Sequence, residues 1–172
     1  MTSRHALAAL AAALLAACAT APPGSPVAPL TSATPEDMVA LIDAAAGSGE
    51  DELAVQPLRD PMVEDLRALA RHAHAQGRHD EAATALDRAL ELVADDPALL
   101  QERAEAALLQ HDFARAGQLA ERAFALGAQV GPLCRRHWAT IEQVRLVQGD
   151  AEGAASARAQ VGGCKVEGPS RF

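Results

Sequence analysis

The sequence predicts an all-α fold, on three observations. Ala and Leu dominate the hydrophobic 49% of the 172 residues, and both rank at the top for helix propensity. Aromatic residues make up 2%, Tyr is absent and β-branched residues are few, so the composition gives little support to strands. Between Met62 and Gly162 a Gly-x-x-x-Glu-Ala core followed by Ala-Leu recurs at near-regular spacing, the mark of stacked helix pairs.

The chain opens on a leader. Arg4 gives it a positive start, residues 6–17 are all Ala and Leu, and the run closes on Leu15-Ala16-Ala17-Cys18. It is too short for a mature membrane span of about 20 residues and has the flanks of a signal peptide. Its end resembles the lipobox of bacterial lipoproteins, where small residues fit the signal peptidase and the cysteine thiol takes a lipid before cleavage. The resemblance implies a signal peptide over residues 1–17 and a covalent diacylglycerol on Cys18. It implies a chain lipid-anchored in the bacterial envelope and facing the periplasm. Ala19 is not Asp, which by the same resemblance favours the outer membrane. The competing cut after Ala19-Thr20-Ala21 would leave Pro22 first, a poor substrate.

Residues 18–34 hold the lipidated Cys and then Pro22, Pro23, Pro26 and Pro29, with no charge and no helical period. They read as a disordered tether that reaches roughly 50 Å at about 3.1 Å per residue. Residues 35–61 read as a preliminary helix and a loop. Thr34 is a good N-cap, Pro35 suits the first turn, and Glu36 and Asp37 suit the positive end of the dipole. Met38, Leu41, Ile42 and Ala45 share one face, and Gly47-Ser48-Gly49 ends the helix. One further turn is expected between Leu53 and Leu58, broken by Pro57.

Residues 62–164 carry the repeats. Gly77 to Ala82 leads to Ala89-Leu90, His111 to Ala116 leads to Ala123-Phe124, and Gly149 to Ala154 leads to Val161. Ala82 to Ala116 is 34 residues (116 − 82), and Ala116 to Ala154 is 38 (154 − 116). The pattern resembles the tetratricopeptide repeat, which implies an α-solenoid of about three helix-turn-helix pairs. Small residues belong where two helices cross, here Ala70 with Ala82 and Ala104 with Ala116. Leu66, Leu69, Leu86, Leu90, Leu100, Phe113 and Phe124 fill between them, and Trp138 takes the usual aromatic position of the third pair. Gly77 and Gly149 stop first helices, and Pro97 and Pro132 separate pairs. Departures are His111 for the turn Gly, Arg103 for a usual Leu, Glu142 for a small residue, and Arg145 and Arg158 at apolar positions. Residues 165–172 form a tail.

Three cysteines are an odd count. With Cys18 lipidated, Cys134 and Cys164 remain, and an oxidising periplasm favours their pairing. In a helix hairpin the start of the first helix lies beside the end of the second, which is where these two fall. A Cys134–His137–Cys164 zinc site is the weaker alternative, and no metal or other cofactor is expected. His72 and His74 diverge by about 200° on a helix and His79 falls in a turn, so solvated histidines explain that cluster. No catalytic residues emerge: no nucleophile elbow, phosphate loop or dinucleotide fingerprint is present. Acid pairs such as Asp95-Asp96 fit capping.

The formal charge is −8, or −9 once Arg4 leaves with the signal peptide (−8 − 1). That argues against nucleic acid as a partner. Tetratricopeptide-like scaffolds bind proteins on the concave face lined by first helices. Placing the repeat positions on this sequence assigns that face Arg67, Arg71 and His74, then Gln101, Glu105 and Leu108, then Arg136, Gln143 and Leu146. Arg among apolar groups suits an extended peptide carrying carboxylates. Arg135-Arg136-His137 opens a helix where cations oppose the dipole; either Glu142 and solvent screen them or they meet an acidic partner. The expected function is a non-catalytic envelope adaptor for an envelope protein or extended peptide, in outer-membrane, pilus or cell-wall machinery. The alternatives are a structural lipoprotein with no groove ligand and an accessory factor or enzyme of peptidoglycan metabolism.

Overall fold

The computed structural model describes residues 27–47 and 60–165. The leader, Cys18, the start of the tether, the turn expected near Leu53 and the tail beyond Lys165 lie outside the described residues. Those described form seven helices and no strand. They are α1 Pro35–Ala46, α2 Pro61–Ala75, α3 His79–Leu92, α4 Pro97–Leu109, α5 Phe113–Leu126, α6 Gly131–Val147 and α7 Ala151–Gly163. Local chemistry sets most boundaries. Thr34 caps α1 in a reciprocal box with Asp37. Asp60, Asp96, Asp112 and Asp150 each accept from N–H groups in the first turn of the helix they precede, a cap that contributes about 1 kcal/mol.

Helices α2/α3, α4/α5 and α6/α7 form three hairpins stacked in order, a tetratricopeptide-like solenoid. Each hairpin turn needs one left-handed residue. Gly77 supplies it at φ 70°, His111 at φ 61° and Gly149 at φ 75°, so His111 does a glycine's task in an unfavourable backbone region. Ala70, Ala82, Ala104 and Ala116 are buried at the crossings, with Leu86, Leu99 and Leu100 packed between. Phe124 meets Trp138 with ring centroids 4.7 Å apart, joining the second pair to the third. Leu69 departs from expectation and stands half-exposed.

The polar residues at apolar repeat positions are paired. Buried Arg103 donates to Asp87 at 2.8 Å. Buried Glu142 accepts from Arg158 at 2.8 Å, and Arg145 donates to the Gly153 carbonyl at 2.8 Å. The Glu142 and Arg145 contacts cross the third hairpin from α6 to α7, whereas the Arg103–Asp87 pair joins the second hairpin to the first, from α4 to α3.

Helix α1 precedes the three pairs in the chain, as expected. It packs against α6 and α4, the first helices of the last two pairs. The Leu30 N–H donates to the Leu146 carbonyl near the end of α6 at 2.8 Å. Arg135, near the start of α6, donates to the Ala46 carbonyl at 3.0 Å. Helix α1 therefore runs antiparallel to α6. Pro35, Met38, Ile42 and Ala46 are buried, while Leu41, expected on that face, is 51% exposed. Fully burying side chains such as Met38 and Ile42 stabilises by about 1.5–3 kcal/mol each.

Candidate partner groove and its occupant

The first helices α2, α4 and α6 bring the expected partner residues to one side of the solenoid, but mostly under cover. Gln101 and Leu108 are fully buried, and Glu105 and Gln143 nearly so. Arg136 and Leu146 are half-buried. The covering element is α1. Met38 and Ile42 sit in one apolar cluster with Ala107, Leu108, Ala139 and Val144. The expectation of an open groove at the second and third pairs is thus corrected: the chain's own helix occupies it.

Electrostatics hold the occupant. Arg136 Nη2 lies 2.6 Å from Glu105 Oε2 and 3.2 Å from Asp43 Oδ1. Burial opposes the charge on Arg136, but Glu105 and Asp43 more than offset this and hold it cationic. Burial pushes the Glu105 carboxyl above its ordinary value, against the pull of Arg136. Helix α1 has no basic residue in its last turn. Arg135 supplies the missing cation from another helix, at the negative end of the α1 dipole.

Beneath α1 a polar chain fixes the floor. The Thr140 hydroxyl donates to the Arg136 carbonyl at 2.9 Å, so it accepts from Gln101 Nε2 at 2.7 Å. Gln101 Nε2 also donates to Glu105 Oε1 at 2.8 Å. The Gln101 carbonyl oxygen is left to accept from His137 Nδ1 at 2.7 Å. The neutral ring then carries its lone pair on Nε2, which is buried without a partner. Burial, followed by the field of Arg136, lowers the His137 pKa from 6.5 to about 4.

The α2 end differs. Arg67 binds Glu102 on α4 and Glu64 on its own helix, and these carboxylates raise its pKa further. It is a strut between helices rather than a free ligand group. Arg71 is exposed. His74 lies 3.3 Å from His79, nitrogen to nitrogen, and burial followed by that second ring lowers its pKa. Among the described residues no group of three or more His, Cys, Asp or Glu is placed to hold a metal ion. Cys134 and Cys164 are joined in a disulfide with Cα atoms 5.7 Å apart, and the Gly131 N–H donates to the Cys164 carbonyl beside it at 2.7 Å.

Residue-by-residue reading missed Asp43, Thr140 and the Ala46 carbonyl as parts of this groove. The available signal was Arg135-Arg136 itself. Two cations at a helix N-terminus call for an anion from elsewhere, and the end of α1 answers it. Glu142, offered above as a screen for them, pairs with Arg158 instead.

A scan against protein-family models finds no match, and neither does a search of curated proteins. Among solved structures the chain is similar to the globular C-terminal domain of P. aeruginosa LpoP. The two are 32% identical with a TM-score of 0.57, over 61% of this chain and 99% of that one. With that domain matched over nearly its whole length, the chain belongs to the family of the LpoP globular C-terminal domain, a helical bacterial lipoprotein domain.

Proposed function

We propose that the mature chain is an outer-membrane lipoprotein, acylated on Cys18, that acts as a non-catalytic periplasmic adaptor for cell-wall synthesis. Its three helix pairs are read as tetratricopeptide repeats and its partner as an envelope protein. The observation that carries the reading is the 32% identity across the LpoP domain. That likeness favours cell-wall machinery over outer-membrane or pilus assembly. Among the described residues no helix is long and apolar enough to cross a membrane; the anchor at Cys18 is supported by the lipobox-like Leu15-Ala16-Ala17-Cys18.

Crosslinking in intact envelopes, followed by mass spectrometry, should recover a peptidoglycan synthase with this chain. The purified chain should change that synthase's rate of glycan polymerisation. Recovery of outer-membrane or pilus assembly proteins alone would overturn the assignment. Cys18→Ser should move the protein to the soluble fraction or stall its processing, and unchanged membrane retention with normal processing would sink the anchor. The filled groove favours one second reading, a structural lipoprotein whose groove takes no external ligand.

A further inference from the structure

The three hairpins form a continuous stack without α1, which reaches its seat on α4 and α6 from outside that stack. The seat is built like a ligand site. Two apolar anchors one turn apart, Met38 and Ile42, enter it, an acid at the next position meets Arg136, and the helix ends on Arg135. The seat is mixed: Ala107, Leu108, Ala139 and Val144 meet the anchors, and the Gln101–Thr140 and Gln101–Glu105 hydrogen bonds lie beside them between α4 and α6. The fit is also incomplete. Gln143 lies two turns beyond Arg136 on the same side of α6, and it is buried with its carbonyl oxygen lacking a donor.

We infer that the α4–α6 groove is a docking site for an acidic amphipathic helix of a partner protein, and that α1 is its built-in, displaceable occupant. The partner helix carries aliphatic side chains at i and i+4 and an acid at i+5, with its C-terminal turn on Arg135. Charge complementarity is local: the acid at i+5 takes the place of Asp43 beside Arg136, and the negative end of the partner helix takes the place of the Ala46 carbonyl beside Arg135. A partner helix that also brings a donor to Gln143 makes one bond more than α1 does. Displacement is local: α1 stays covalently joined to the solenoid through the twelve residues 48–59, so it competes as a tethered ligand. The inference rests on the concave face being the partner surface.

Amide exchange on the full mature chain tests it first. Amides in the α1 helix should open about 100-fold more readily than those of α4 and α6, as expected of a locally detaching element. Equal protection would overturn the inference. The second test uses a labelled synthetic peptide of residues 34–47 as probe. The Ile42→Asp chain should lose α1 protection, keep that of α4 and α6, and bind the peptide about tenfold or more tightly than the wild-type chain does. Adding Arg136→Gln should abolish that binding. An Ile42→Asp chain that binds no better than wild type, or loses protection throughout α4 and α6, shows α1 to be fixed core and overturns the inference. Neither measurement involves the cell-wall partner. Failure here leaves the capture of a synthase untouched, and failure of that capture leaves the groove result standing.

Discussion

Replacing Cys134 and Cys164 together by serine is expected to lower the stability of the domain by about 3.6 kcal/mol, the chain-entropy value for a 30-residue separation. For a domain of this size that is a fall in melting temperature of about 10–15 °C. The bond clamps the pair that needs it most. Helix α6 starts with no side-chain cap and with two arginines in its opening turns, and Glu142 puts a buried charge at a repeat crossing that elsewhere takes Ala. Thermal melting of the double variant, or of the wild-type chain with and without reductant, measures the effect. Equal melting temperatures would show that the hairpin holds itself.

Acid is expected to weaken the fold through His137. The unfolded chain protonates this ring near pH 6.5, whereas the folded chain resists until about pH 4. Between those values the unfolded state binds more protons, so stability is complete above about pH 6.5 and falls as pH drops. The loss is on the order of 3 kcal/mol by pH 4. The structural cause is specific. A proton added at Nε2 enters a pocket beside Gly127, Pro97 and the Ala123 carbonyl, where the ring has no acceptor in place. Urea unfolding at pH 7, 5.5 and 4.5 should show the decline. His137→Asn keeps a donor for Gln101 and does not titrate, so its decline should be shallower. Parallel pH profiles for the two chains would assign the acid sensitivity to other groups.

The parts of the fold that were legible in the sequence are those fixed by neighbours in the chain. Thr34, Pro35 and Asp37 start a helix by local hydrogen bonds. Gly77 and Gly149 turn left-handed because the hairpin demands it. Ala70, Ala82, Ala104 and Ala116 repeat because two helices cross there. The disulfide followed from the hairpin: both cysteines lie at the same end of one pair. The site was legible only in part, because its state depends on a contact between distant segments. Repeat spacing put Gln101, Glu105 and Gln143 on the concave face, yet no periodicity relates α1 to α4 and α6. Leu41 shows the limit most plainly. It shares a helical face with Met38 and Ile42 in a sequence reading, but α1 buries Pro35, Met38, Ile42 and Ala46, with Val39 and Ala45 partly buried beside them, and turns Leu41 outward.

The hydrogen bond from Leu30 to Leu146 also decides how a pull from the membrane would be felt. For a chain anchored at Cys18, the leash up to Leu30 has twelve links (30 − 18) and a contour of about 40 Å. Tension would strain the Leu30–Leu146 bond first, then peel α1 from α6 one turn at a time toward Arg135, as a zip opens rather than as a bolt shears. With α1 off and unwound, the leash would run to Asp60, forty-two links (60 − 18) and about 145 Å. The hairpin at the far end would stay shut, since its covalent rivet lies beyond the line of force. For a chain anchored at Cys18, undocking that one helix would more than triple the contour between anchor and domain.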